Sequence, residues 1–229
     1  SNLYGLSWAR HSIRREESAL VVEGYMDVIS LAAHGFENVV APLGTALTPE
    51  QAKLLSSYTT RVLLLFDSDA AGLKATFKAG DTLLEAGLHP AVVTLPPGED
   101  PDTLVRSEGR EGLERYLDQA VDVLDRKLQI LDEKDYFSSI ERTRSAVDRL
   151  LPTIRAASDP ALHDIYVAKV ADRTGVRRET LEAEMERAGS ESPARVDARP
   201  SARPIVTHRI PRLGAERSLL LLMTKNPDF

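Results

Sequence analysis

The 229-residue chain has no cysteine, and its five histidines are scattered. That excludes a disulfide framework and the thiolate ligand sets of structural zinc sites, so no zinc is expected in this segment. The absence of thiols agrees with a reducing cytosol. No apolar run approaches the ~20 residues that a membrane helix requires; Leu219 to Met223 is far too short. The opening Ser-Asn-Leu-Tyr-Gly-Leu lacks the charged-then-apolar order of a secretory signal. The expectation is a cytoplasmic protein without membrane contact. Positive charge is also lacking, with a formal net charge of -6. Any polynucleotide contact is therefore local, bridged by metal, or completed by another polypeptide.

What the chain does have is carboxylates in three doublets. Glu23 and Asp27 lie in Val-Val-Glu-Gly-Tyr-Met-Asp, Asp67 and Asp69 in Phe-Asp-Ser-Asp, and Asp100 and Asp102 in Glu-Asp-Pro-Asp. Like charges that converge must take up protons or surround a cation. Oxygen-only donors suit a hard divalent ion. Mg²⁺ binds through one or two carboxylates plus water and substrate phosphates, which points to phosphoryl or nucleotidyl chemistry.

The doublets sit in a repeating pattern. Short apolar runs at Ala19 to Val22, Asn38 to Ala41, Arg61 to Phe66 and Pro90 to Leu95 read as strands, and the third, uninterrupted run implies burial on both faces. Helical spacing follows at Tyr25 to His34 and at Ala70 to Ala86, the latter stopped by Gly87. Thr48-Pro49-Glu50-Gln51 has the form of a capping box with proline at the first helical position. Alternating strands and helices predict a parallel sheet flanked by helices, with ligands at the strands' carboxyl ends. Glu23, Asp67 and Asp100 would then share one edge. From Asp102 to about Arg187 the pattern is amphipathic and helical, with no strand expected. Residues 189–214, rich in Pro, Ser, Arg and Ala, read as a flexible linker. Residues 215–229 begin another helix, too short to be stable alone.

Motifs sharpen this reading. Leu-Tyr-Gly-Leu at 3–6, Val-Val-Glu-Gly-Tyr-Met-Asp-Val at 21–28, Leu-Gly-Thr-Ala-Leu-Thr at 43–48, Phe-Asp-Ser-Asp-Ala-Ala-Gly at 66–72 and Gly-Glu-Asp-Pro-Asp-Thr-Leu-Val at 98–105 occur in this order. In them the chain resembles Toprim domains, and more narrowly the bacterial primase family, over about residues 3–188. The resemblance implies an α/β fold: a helical lead-in at 1–18, a Toprim catalytic domain at 19–105 and an all-α subdomain at 106–188. The linker follows at 189–214, then the truncated start of a helicase-binding domain at 215–229. It implies template-directed synthesis of short RNA primers, with Mg²⁺, or Mn²⁺ in its place, as cofactor. The implied partners are a single-stranded DNA template, an RNA primer, ribonucleoside triphosphates and the replicative helicase. Glu23, Asp27, Asp67 and Asp69 would be catalytic. Glu23, Asp67, Asp69, Asp100 and Asp102 would be metal ligands, with Glu23 open between base and ligand. Gly24, Gly44 and Thr45 would let backbone approach phosphate. The family's basic amino-terminal half and zinc domain do not precede Ser1, which suggests half of an active site. A non-catalytic metal- or nucleotide-binding module and a Toprim nuclease are the alternatives.

Other signals have bland readings beside these. A single acid doublet could be helix caps; three in topological register carry the functional reading. Lys74 and Lys78, one turn apart, could meet phosphates or form a solvated face. The cluster Arg10, His11, Arg14 and Arg15 is similarly open. Trp8 reads as core. Val170 to Leu181 resembles a helix-turn-helix with Gly175 at the turn, yet Glu179, Glu182, Glu184 and Glu186 would repel DNA, so a structural hairpin is expected. None of Tyr4, Tyr58, Tyr116, Tyr136 or Tyr166 has the basic setting of a topoisomerase nucleophile.

Overall fold

The computed structural model describes residues 3–42 and 46–190. The apolar runs become β2 (Ser18–Val21), β3 (Val39–Pro42), β4 (Arg61–Leu64) and β5 (His89–Val92), all mutually parallel. Two short strands, β1 (Leu3–Tyr4) and β6 (Val121–Asp122), close the edges, giving a six-stranded sheet of order β1-β3-β2-β4-β5-β6. Both edge strands pair antiparallel, β1 to β3 and β6 to β5.

Side chains of the central strands alternate between two cores. Ala19, Val21, Val62, Leu64 and Phe66 face one, with Ile13 of α1 (Leu6–Arg15), Leu55 of α3 (Pro49–Leu55) and Leu83 of α4 (Ala70–Glu85). Leu20, Val22, Leu63 and Leu65 face the other, with Leu31 of α2 (Tyr25–Ala33) and Leu104 and Leu113 of α5 (Pro101–Leu117). With helices on both faces, the strands are buried apart from the exposed Arg61 and His89 at the starts of β4 and β5. This is why the sequence runs are continuously apolar rather than alternating. Each such Val or Leu contributes roughly 1.5–3 kcal/mol by leaving water.

Local signals set the helix ends. At α3, Gln51 N donates to Thr48 Oγ1 at 3.3 Å, and Thr48 N donates to Gln51 Oε1 at 3.0 Å. Pro49 occupies the first turn, as the sequence predicts. Gly87, at φ 76°, takes the left-handed conformation that ends α4.

The third core belongs to α6 (Val123–Glu133), α7 (Ile140–Ala156), α8 (Pro160–Thr174) and α9 (Arg178–Ser190), and includes Leu84 of α4 and Val92 of β5. Here the sequence expectation of no strand after Asp102 is corrected by β6. Two residues are too few to show a period of two, and their neighbours' helical spacing masks them. Likewise β1 lies inside the expected helical lead-in. Asp122 explains why the chain turns from strand to helix at this point. Its Oδ1 accepts from Leu124 N at 2.8 Å, capping α6, while its Oδ2 accepts from the buried Tyr166 hydroxyl at 2.7 Å. One carboxylate thus ties sheet edge, α6 and α8 together.

Helices α8 and α9 form a hairpin around Gly175, at φ 71°. Glu184 is engaged by Arg144 of α7 at 2.9 Å, and Leu181 and Met185 are buried in the third core. Residues 191–229, and with them most of the expected linker and the final helix, lie outside the described residues.

Candidate acidic metal centre

Glu23 follows β2 and Asp67 follows β4, the two adjacent central strands. Asp27 lies in the first turn of α2, Asp69 caps α4, Asp100 caps α5 and Asp102 lies in its first turn. Asp100 departs from the expected strand-end position: β5 ends at Val92, and the segment from Val93 to Glu99 carries the acid back toward the other two doublets. Gly98, at φ 85°, allows the turn.

Several acids do the work of caps. Asp69 Oδ1 accepts from Gly72 N at 2.7 Å, Asp100 Oδ1 from Thr103 N at 2.7 Å, and Asp27 Oδ2 from Gly24 N at 3.1 Å. The capping interpretation is thus correct for individual residues, but it does not explain why the caps face one another. Partial burial, followed by the charge of Asp67 and then those of Asp69 and Asp27, pushes the Glu23 carboxyl above its usual range. The N–H of Asp67, 3.3 Å from Glu23 Oε1, opposes that shift. Burial and the charges of Asp67, Asp100 and Asp102 raise Asp27 against its bond from Gly24 N. Burial, Asp100 and Asp69 raise Asp67. Glu23, Asp27 and Asp67 are thus each raised in part by carboxylates from another doublet. The sole ion pair of the six acids among the described residues is Asp102 with Arg106, at 2.7 Å.

Oxygen donors, mutual repulsion and little cationic compensation fit a hard divalent ion. Among the described residues no three acids or histidines converge as a ready-made cage.

Two positioning residues escaped the sequence reading. Gly72, in the first turn of α4, has the Asp67–Asp69 loop against its Cα: a Cβ there would lie 2.4 Å from Asp67 O and 2.9 Å from Glu23 Oε1. Ser68 Oγ accepts from Gly98 N at 3.2 Å and so joins the second doublet's loop to the third's. The signal for Gly72 was present in the Phe-Asp-Ser-Asp-Ala-Ala-Gly motif. Its spacing from Asp69 matches a residue that meets the cap.

The remaining candidates are dispersed. Gly24 caps α2 in extended conformation, with its N–H taken by Asp27. Gly44 and Thr45 lie outside the described residues. Lys74 and Lys78 are exposed on α4, and Lys74 lines a cleft against α6 and α7. Arg15 pairs with Glu16 and Glu37, and Arg14 covers the Tyr58 ring, so two members of the basic cluster on α1 have structural partners. Trp8 corrects the core expectation. It is 66% exposed, set edge-on to Tyr4 at 5.6 Å, and Tyr4 in turn meets the exposed Tyr25 at 6.1 Å. The residue sits on the polar side of an amphipathic helix whose buried stripe is Leu6, Ala9 and Ile13.

An acid after one central parallel strand, an Asp-x-Asp after its neighbour and a third acidic loop beside them define a Toprim-type domain, and residues 20–105 match the family described as Toprim-like. The chain is homologous to bacterial DNA primases and corresponds to a segment of their catalytic core. It is 39% identical over 182 residues to the DNA primase of Clostridium acetobutylicum, covering 79% of this chain and 30% of that protein. Against the Aquifex aeolicus DNA primase identity is 47% over 119 residues, 52% of this chain and 24% of that one. The chain therefore spans under a third of these relatives' length. In three dimensions it is similar to a DNA primase domain from Pseudomonas aeruginosa, with TM-score 0.74 and 33% identity over 81% of this chain and 59% of that one. A DnaG primase catalytic domain bound to single-stranded DNA aligns with TM-score 0.69 and 33% identity, covering 78% and 58%.

Proposed function

We propose that the chain is the acid-bearing portion of a primase polymerase core, acting in Mg²⁺-dependent, template-directed ribonucleotidyl transfer together with a polypeptide that supplies cations. The convergence of six mutually repelling acids on one sheet edge carries this reading. Asp67, Asp69, Asp100 and Asp102 would hold the metal. When bound, Mg²⁺ neutralises phosphate charge and polarises the phosphoryl oxygens undergoing displacement. Glu23, with its raised carboxyl, stands beside that group as an additional ligand or as acceptor for the proton of an attacking 3′-hydroxyl. The amino termini of α2, α4 and α5 carry these acids and add positive dipole ends where triphosphate oxygens would lie. A single-stranded DNA template fits this reading, since a similar DnaG catalytic domain binds ssDNA. The exposed Trp8 and Tyr25, each set edge-on to the half-buried Tyr4, offer faces for unstacked bases. A replicative helicase is the expected partner, through the domain that residues 215–229 are expected to begin.

Calorimetric titration with Mg²⁺ tests the centre: Asp67→Ala and Asp69→Ala should abolish binding, and unchanged affinity in both refutes it. Incorporation of labelled ribonucleotides on a single-stranded template, with and without an added amino-terminal primase half, tests the reaction. Activity is expected only in the mixture. Mg²⁺-dependent cutting of the template without incorporation would identify a nuclease instead.

A further inference from the structure

Beyond the acidic edge, α4, α6 and α7 flank an open cleft of about 360 Å³, within the range of small-molecule sites. Its apolar wall includes Leu73, Phe77 and Ile130, and its cations are Lys74, Lys127, Lys134 and Arg149. Lys127 is internally neutralised: its ammonium is 3.2 Å from Asp81 Oδ1, bonds Thr153 Oγ1 and lies 5.0 Å over the Phe77 ring. Thr153 in turn donates to Asp81 Oδ1 at 2.6 Å, so this network pins the three helices and fixes the cleft's inner wall. Lys74, Lys134 and Arg149 differ. All three are exposed and none forms an ion pair among the described residues. Arg149 lies over the Tyr136 ring at 5.2 Å, which keeps its guanidinium beside the cleft. In a chain of net charge -6, three uncompensated cations around an apolar wall form a local reversal of charge.

We propose that this cleft binds a nucleoside phosphate, distinct from any nucleotide held at the acids. The base lies against the apolar wall and the Arg149 plane, and the phosphates meet Lys74 and Lys134. Three features select this class: the volume fits one nucleotide, the cations match its charge, and the wall matches a flat ring. No metal is required.

Fluorescence titration with mant-ADP in excess EDTA, competed by ADP, adenosine or inorganic phosphate, tests it on the full chain. ADP should compete at least tenfold better than either fragment. Lys134→Glu and Arg149→Glu, both exposed and each checked for an unchanged melting temperature, should each weaken binding about tenfold, with recovery in Lys134→Arg. Asp67→Asn should bind as the wild type does, which separates this cleft from the acidic centre. Absence of saturable binding, equal competition by phosphate, or indifference to both charge reversals overturns the proposal. So does loss of binding in Asp67→Asn.

Discussion

Replacing Gly72 by Ala pits two known effects against each other, and the structure decides the sign. In an ordinary helix interior the change stabilises, by roughly 0.5–1 kcal/mol, because alanine loses less backbone freedom. At Gly72 the new methyl would sit 2.4 Å from Asp67 O, 3.0 Å from Asp67 C and 2.9 Å from Glu23 Oε1. Normal contact needs the loop or the helix turn to retreat by roughly 1 Å, and overpacking of this kind costs about 1–3 kcal/mol. The clash involves backbone that Gly72 N also holds through Asp69 Oδ1, so the loop has little slack. Net destabilisation of about 1–2 kcal/mol should lower the melting temperature by some 3–6 °C for a domain of this size. Displacing the Asp67–Asp69 loop should also weaken Mg²⁺ binding at least tenfold, since ligand positions tolerate little error. Differential scanning calorimetry and Mg²⁺ titration on the purified variant read both effects. An unchanged or raised melting temperature with unaltered Mg²⁺ affinity would refute the packing argument.

Asp67→Asn should stabilise the metal-free protein at pH 7. Burial and like charge raise the folded pKa of Asp67 above its unfolded value, so stability falls as pH rises through that pKa and the penalty is full at neutrality. The gain should stay below about 1 kcal/mol because the group is largely solvated, and should vanish near pH 4. Saturating Mg²⁺ should reverse the order of the two melting temperatures; an Asn variant no more stable at pH 7 than at pH 4 would contradict this. Ser68→Ala removes the acceptor for Gly98 N, costs about 0.5–1 kcal/mol and should speed amide exchange at Gly98. Unaltered exchange would show that the two loops are not joined there. Tyr166→Phe loses the 2.7 Å bond to Asp122 and should cost about 1.5–3 kcal/mol in urea unfolding, as expected for a buried bond to a charged acceptor. A cost within error would remove Asp122 as the tie between sheet and helices.

How much of this was legible depends on how each element is encoded. β2 to β5 were visible because each lies in a short, mostly apolar run, and α3 because its cap uses the matched pair Thr48 and Gln51. The edge strands were not visible, since two residues carry no period. Trp8 was misjudged because residue type outweighed its position on the outer side of α1. The convergence of the acids followed from strand alternation, but Asp100 reaches the cluster by a loop that no periodicity describes. Gly72 was quoted as part of a motif, and only its contacts reveal that the loop rests on it.

The two-residue edge strands have a consequence for recognition. Sheets commonly recruit peptides by accepting an added strand along an open edge, where a row of unpaired N–H and C=O groups acts as a template. At Leu3–Tyr4 and Val121–Asp122 that row is one or two residues long, each strand already runs antiparallel to its neighbour, and a helix begins immediately after or within two residues. Among the described residues, strand addition has little to register against at these two places. Partners of these residues must be chosen through side chains, and this margin also resists edge-to-edge aggregation.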